Sequence, residues 1–156
     1  MISLDKFKVE VVKESDNFTH IEVGPFPHGY GNTIGNSLRR LLLSSIPGAA
    51  IVGVKIKGVK HEYTALTGLK EDILNIVLNL KEIAVISHSD EIQVLKLNVK
   101  GKKGEARVVT AEDIELTGEV EIKNKKQVIA TLADEKSSID AEIYVGSGVG
   151  YALADE

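Results

Sequence analysis

Cysteine is absent from the 156 residues, which removes disulfides, thiol nucleophiles and thiolate metal ligands together and fits a reducing compartment. Tryptophan is absent as well, and aromatic residues make up only 4% of the chain, too few for the stacking platforms that single-stranded nucleic acids favour. No apolar run approaches the length of a membrane span, and the opening MISLDKFKVE lacks the apolar segment of a secretory signal. The expectation is therefore a cytoplasmic protein with no membrane attachment. Positive charge is not in excess either: a net charge of −4 argues against broad electrostatic binding to DNA, RNA or an acidic membrane. What is present, 43% hydrophobic and 27% charged residues, suits a soluble globular chain with one sizeable core or two small ones.

The chain is organised around Pro25 to Pro47, PFPHGYGNTIGNSLRRLLLSSIP, where glycines and prolines precede a helical apolar pattern and Pro47-Gly48 ends it. At about 100° per residue, Ile34, Leu38, Leu41, Leu42 and Ser45 fall on one side, expected to face a core. Leu43 points the opposite way with Arg39 and Arg40 on its flanks. Two readings stay open for that trio. Weakly hydrated, fork-shaped guanidinium groups around an apolar side chain suit a protein interface. Equally, the arginines solvate an outer face and complement the negative end of the helix dipole, with Leu43 an ordinary exposed leucine.

Before this helix, Lys8–Val12 and Phe18–Val23 alternate around a polar Glu14-Ser15-Asp16-Asn17 turn and predict an antiparallel hairpin. After it, Ala49 to Val59 predicts a strand through Ile51, Val54 and Ile56, with Gly53 and Gly58 as bulge or bend positions. Glu71 to Lys81 predicts a second helix with acids in its first turn and a lysine in its last. Its apolar residues cover more than half the circumference, leaving a polar strip of Asp72, Asn75 and Asn79, so sheet is expected on one side and another element or chain on the other. Short alternating runs follow at 84–86, 92–99, 106–109, 120–122, 128–132 and 139–145, giving an α+β chain with a mixed or antiparallel sheet. The basic stretches Lys100–Gly104 and Lys123–Lys126 read as hairpin tips whose lysines solubilise turns and protect edges. The end, Gly146 to Glu156, is glycine-rich with no evident closing element.

Catalytic chemistry finds little footing. The Gly29–Gly35 cluster is G-x-G-x-x-x-G, follows a hairpin rather than a βαβ unit, and lacks the Gly-Lys-Ser/Thr of a phosphate-binding loop. An anion- or nucleotide-binding enzyme using that loop is the alternative reading; the competing one is structural, turns needing positive φ and close packing of Gly35. His61-Glu62 has Ala65 where a zinc-protease helix needs a second histidine, and His20, His28, His61 and His88 have no metal-ligand spacing. Glu71-Asp72 fits a helix dipole better than an acid/base pair.

The run His28 to Gly48, followed by Gly58–Tyr63, by Lys70–Ile73 through Lys81, by Thr110–Ile114 and by Gly148–Tyr151, resembles the N-terminal domain of the alpha-subunit family of bacterial and plastid RNA polymerases. The resemblance covers nearly the whole chain in order. It implies a non-catalytic assembly scaffold without cofactor or metal, in which two copies dimerise and recruit the beta and beta-prime subunits. It implies two subdomains: residues 1–47 as the first half of a dimerisation subdomain, a hairpin plus helix, and residues 48–156 as an inserted, large-subunit-binding sheet subdomain with one main helix. Carried over by position, Arg40 and Leu43 contact beta, Arg39 supports that surface, Lys81 lies near a large-subunit contact, and Ile34, Leu38, Leu41 and Leu42 belong to the dimerisation helix. A bacterial cytoplasm or a plastid stroma is the implied location, with no direct DNA contact from this part. Family members continue past the point where this sequence stops. The accompanying expectation is a truncated or split subunit that dimerises poorly, since uncovered leucines cost about 1.5 to 3 kcal/mol each.

Overall fold

The computed structural model describes residues 7–15 and 18–151. The chain forms two compact units, Met1–Ile46 and Pro47–Glu156.

The first unit is a hairpin and a helix. Strands β1 (Lys8–Ser15) and β2 (Phe18–Gly24) pair antiparallel, with Val9 opposite Val23 and Val11 opposite Ile21. A bulge between Val11 and Lys13 shifts the register, so Glu14 and Ser15, expected in the turn, are ladder residues opposite Thr19 and Phe18. The other two residues expected in that turn, Asp16 and Asn17, lie outside the described residues. The Phe7 and Phe26 rings meet at 5.0 Å between centroids. Helix α1 runs Tyr30–Ser44.

The second unit holds a continuous core. Strand β3 (Pro47–Ile56) begins at the proline, since a strand's first residue tolerates a missing N–H. Helix α2 (Ile73–Lys81) is followed by β4 (Val85–Ser87), β5 (Gln93–Lys100), β6 (Arg107–Thr110), a 3-10 turn over Ala111–Asp113, β7 (Ile114–Glu115), β8 (Val120–Ile122), β9 (Val128–Leu132) and β10 (Ser138–Val149). The main sheet is β3-β10-β5-β7, antiparallel throughout, with β4-β8 and β6-β9 as separate pairs. Strand β5 shows why the sheet faces inward: Leu95, Leu97 and Val99 are buried while Lys96, Asn98 and Lys100 alternate outward. Ile139, Ala141, Ile143 and Val145 of β10 join them. Each fully buried side chain of this size contributes about 1.5 to 3 kcal/mol.

Strand β3 changes phase partway. Tyr144 pairs with Gly53 and Val145 with Ile51, so Val52 is an extra residue. Val54 and Ile56 pack on the core beyond it, Ile51 and Ala49 before it, and Val52 itself is 63% exposed. The gap of three between Ile51 and Val54 is the trace of this bulge in the sequence.

Several connections differ from their sequence reading. Gly146–Val149 is not loose: it extends β10 against Ala50, Ala49, Gly48 and Pro47. The remainder of the expected glycine-rich end, 152–156, lies outside the described residues. The Lys100–Gly104 tip narrows to a turn within the Lys102–Glu105 bridge, because β5 and β6 belong to different sheets. Lys123–Lys126 likewise joins β8 to β9, which pair with β4 and β6 and not with each other. Asn124 fixes this corner, accepting from the Ala84 N–H at 2.7 Å and donating to the Glu82 carbonyl at 2.9 Å.

Candidate subunit interface

Helix α1 forms from strong helix formers, Leu and Arg, behind a glycine start. Gly29 takes the N-cap with φ 84°, a left-handed conformation that leaves no side chain to cap the helix. Gly31 and Gly35, expected respectively in the loop and against a neighbour, both lie inside the helix with open space where a Cβ would go. Close packing therefore does not explain Gly35. Ser37 and Ser44 donate their hydroxyls to the carbonyls four residues earlier, and the Ser45 N–H closes the end on Leu41.

The expected core stripe is not buried. Helix α1 buries no residue: Ile34 is half-buried, while Leu38, Leu41 and Leu42 are exposed, Leu42 by 62%. The reason lies in the make-up of the first unit, where a two-stranded hairpin is the only other regular element among the described residues. Leu43, on the opposite side, is 72% exposed. Arg39 and Arg40 precede the last turn, which carries no base, so the dipole explanation loses its basis. Among the described residues neither arginine makes an ion pair. One helix thus carries an apolar stripe on one side and an arginine-framed leucine on the other, all open to solvent except the half-buried Ile34.

Helix α2 lies in the second unit. Asp72 is its N-cap and not a first-turn acid: its carboxylate accepts from the Asn75 N–H at 2.8 Å. Glu71 precedes the helix and is engaged elsewhere, accepting from Thr131. Ile73, Ile76 and Leu80 are buried toward β9 and β3. Asn79, expected on a polar strip, donates instead to the Ile129 carbonyl at 3.0 Å, so the strip is partly internal. Leu74 and Leu78 are exposed, and Lys81 ends the helix in solvent. Leu74 and Leu78 stand four residues apart on the side opposite Ile73, Ile76 and Leu80, and that spacing is the signal in the sequence that they face outward. Tyr63, 78% exposed beside Glu62, is a further apolar feature of this unit that the spacing arguments did not single out. The neighbouring carboxylate pushes its phenol pKa upward.

Among the described residues no group of His, Asp or Glu has the arrangement of a metal site. The clefts at Lys123–Gln127 and at Lys55–Val59 with Asp140–Glu142 do not involve the Gly29–Gly35 cluster. No helix among the described residues is long and apolar enough to cross a membrane.

Fold and surface together define an α+β protein with its core in one unit and uncovered apolar and cationic side chains on its helices. Residues 54–156 match the RNA polymerase Rpb3/RpoA insert domain. The whole chain is 48% identical to a DNA-directed RNA polymerase subunit alpha of Symbiobacterium thermophilum, covering 49% of that protein. Over 99% of its length it is 43% identical to the subunit alpha of Alkaliphilus metalliredigens, covering 48% of that protein, and over 100% it is 42% identical to that of Roseiflexus sp., covering 47%. The chain belongs to the RNA polymerase alpha-subunit family, and it spans about half the length of the curated relatives it matches. The relatives lend no support to a nucleotide-binding enzyme.

Proposed function

We propose that this chain is a non-catalytic assembly scaffold of DNA-directed RNA polymerase in the cytoplasm, pairing with a second alpha copy and recruiting the beta and beta-prime subunits. The observation that carries the reading is α1, a helix of an alpha-family chain with apolar and arginine side chains exposed on both sides. Ile34, Leu38, Leu41 and Leu42 form the dimerisation stripe. Arg40 and Leu43 contact beta, Arg39 supports that contact, and Lys81 serves a large-subunit contact from the second unit. Residues 1–47 act in dimerisation and 48–156 in large-subunit binding. Arginine suits this role because its fork pairs with carboxylates and gives up water readily; a truncated arginine at the centre of an interface costs 2 kcal/mol or more, roughly thirtyfold in affinity.

The test is co-precipitation with the beta subunit of wild type beside Arg40→Ala and Leu43→Ala. Binding by wild type that both substitutions remove supports the scaffold reading; undiminished binding by both well-folded variants refutes the assigned surface.

A further inference from the structure

We propose that Asn124 is a positioning residue for Lys81, fixing the end of α2 from the corner between β8 and β9 so that the lysine leaves the surface at one set point. The inference rests on the reading of Lys81 as a large-subunit contact given above. Lysine carries its charge on a flexible four-carbon stem, so its backbone is the part that can be fixed in advance. A helix end offers little of that by itself, because its last carbonyls lack partners within the helix. The end of α2 is held from outside. Two residues before Lys81, the Asn79 side-chain amide donates to the Ile129 carbonyl at 3.0 Å. One residue after it, the Glu82 carbonyl accepts from Asn124 Nδ2 at 2.9 Å, and the Ala84 N–H donates to Asn124 Oδ1 at 2.7 Å. Ile83, between those two bonds, is buried. Lys81 thus stands between two anchors, and residues 124 and 129 supply both.

Asn124 is itself a fixed point. Its carbonyl accepts from the Gln127 N–H at 2.9 Å and closes the turn. The Lys125 carbonyl accepts from the Glu112 N–H at 3.0 Å and the Gln127 carbonyl from the Ala111 N–H at 2.9 Å, which ties the corner to the 3-10 turn. On the other flank the Lys123 N–H donates to the Ala84 carbonyl at 2.9 Å. The Gln127 side chain adds a bond to the Glu82 carboxylate at 2.8 Å. Among the described residues no other side chain bonds the backbone of residues 82–84. One amide therefore uses its donor and its acceptor on the two sides of Ile83, and a single substitution severs both bonds.

A double-mutant cycle tests this, with the intact alpha subunit titrated against the beta and the beta-prime subunits. Lys81→Ala, Asn124→Ala and the pair are compared, each checked for folding by urea denaturation. Asn124→Ala is expected to weaken binding about threefold to tenfold in the wild-type background and less than about twofold beside Lys81→Ala, because coupled residues do not add. Asn124→Asp keeps the acceptor for Ala84 and gives up the donor to Glu82. It runs through the same cycle with a smaller expected loss, and it carries the test where the alanine variant fails to fold. Equal losses in both backgrounds overturn the proposal, since a merely loosened fold weakens binding whether or not Lys81 is present. So does a loss at Lys81→Ala with none at either Asn124 variant. Both of these results leave the Lys81 contact standing. Lys81→Ala without effect on either large subunit refutes that contact, and the positioning role with it.

Discussion

Glu71 holds Thr131 twice across 60 residues of sequence, its carboxylate accepting from the Thr131 N–H at 2.6 Å and from its hydroxyl at 2.8 Å. Around this clasp the Lys70 N–H donates to the Thr131 carbonyl at 3.0 Å and the Ala133 N–H to the Gly68 carbonyl at 2.8 Å. Residues 68–71 thus cover the edge of β9 that β6 leaves open, and they deliver the chain to α2 at a fixed point.

Glu71→Ala removes a charged acceptor from two donors and leaves the Thr131 N–H seeking water. A loss of about 2 kcal/mol in unfolding free energy is expected by urea denaturation. Thr131→Val, which keeps the backbone donor, should cost less, and a larger loss for Thr131→Val than for Glu71→Ala would contradict this account.

Asp72→Ala strips α2 of its cap. The expected cost is about 1 kcal/mol, largely recovered in Asp72→Asn, which keeps the capping oxygen. Equal destabilisation by both substitutions would show that charge at the helix start matters more than the hydrogen bond.

Ile143→Ala opens a cavity in the central strand and should cost about 2 to 5 kcal/mol, whereas Leu42→Ala on exposed α1 should change monomer stability by no more than about 0.5 kcal/mol. The pair is measured in one set of denaturation curves monitored at second-unit residues. A large effect of Leu42→Ala on the monomer would place that leucine in a core.

Asp134 has a pH signature. Its carboxylate accepts the Ser137 hydroxyl at 2.6 Å together with the Ser137 and Lys136 N–H groups, and these bonds hold its pKa below the usual carboxylate value. A folded-state pKa below the unfolded one gives stability that is complete above the unfolded value and disappears as pH falls through the folded value. Stability measured from neutral pH into the carboxylate range should therefore decline less steeply in Asp134→Asn than in wild type; identical slopes would remove Asp134 from the acid response.

The same turn accounts for two glycines. Ser137 is buried against Gly68, whose φ of 91° is left-handed, and a Cβ on Gly101 would fall on the Asp134 carbonyl. Gly101→Ala must displace backbone, so a loss of about 1 to 3 kcal/mol or more is expected in thermal or urea unfolding. A neutral Gly101→Ala would mean that the turn at Asp134 shifts freely.

The sequence carried the elements whose signal is periodic. Alternation located the hairpin and β5, and the helical spacing placed Arg39, Arg40 and Leu43 around one side of α1, whereas the bulge expected at Gly53 falls one residue earlier, at Val52. It carried less where a residue's partner is remote. Glu71 looks like a first-turn acid until Thr131 arrives from β9, and Asn79 looks like surface until Ile129 comes beneath it. Gly146–Val149 reads as loose because glycine has low strand propensity; pairing with Pro47–Ala50 overrides that preference. The α1 stripe was legible as apolar, but periodicity states which residues want cover and not whether this chain supplies it.

The bulge at Val52 also bears on how the sequence can change length. In a strand with side chains alternating between core and solvent, losing one residue turns everything on one side of the gap inside out. Val52 is the exception within β3, because the residues on either side of it already pair with consecutive positions of β10. A deletion there would join Ile51 to Gly53 in an unbroken ladder and leave both halves facing as they do now, so this is the position in β3 where the chain can be shortened by one residue without rewriting its neighbours.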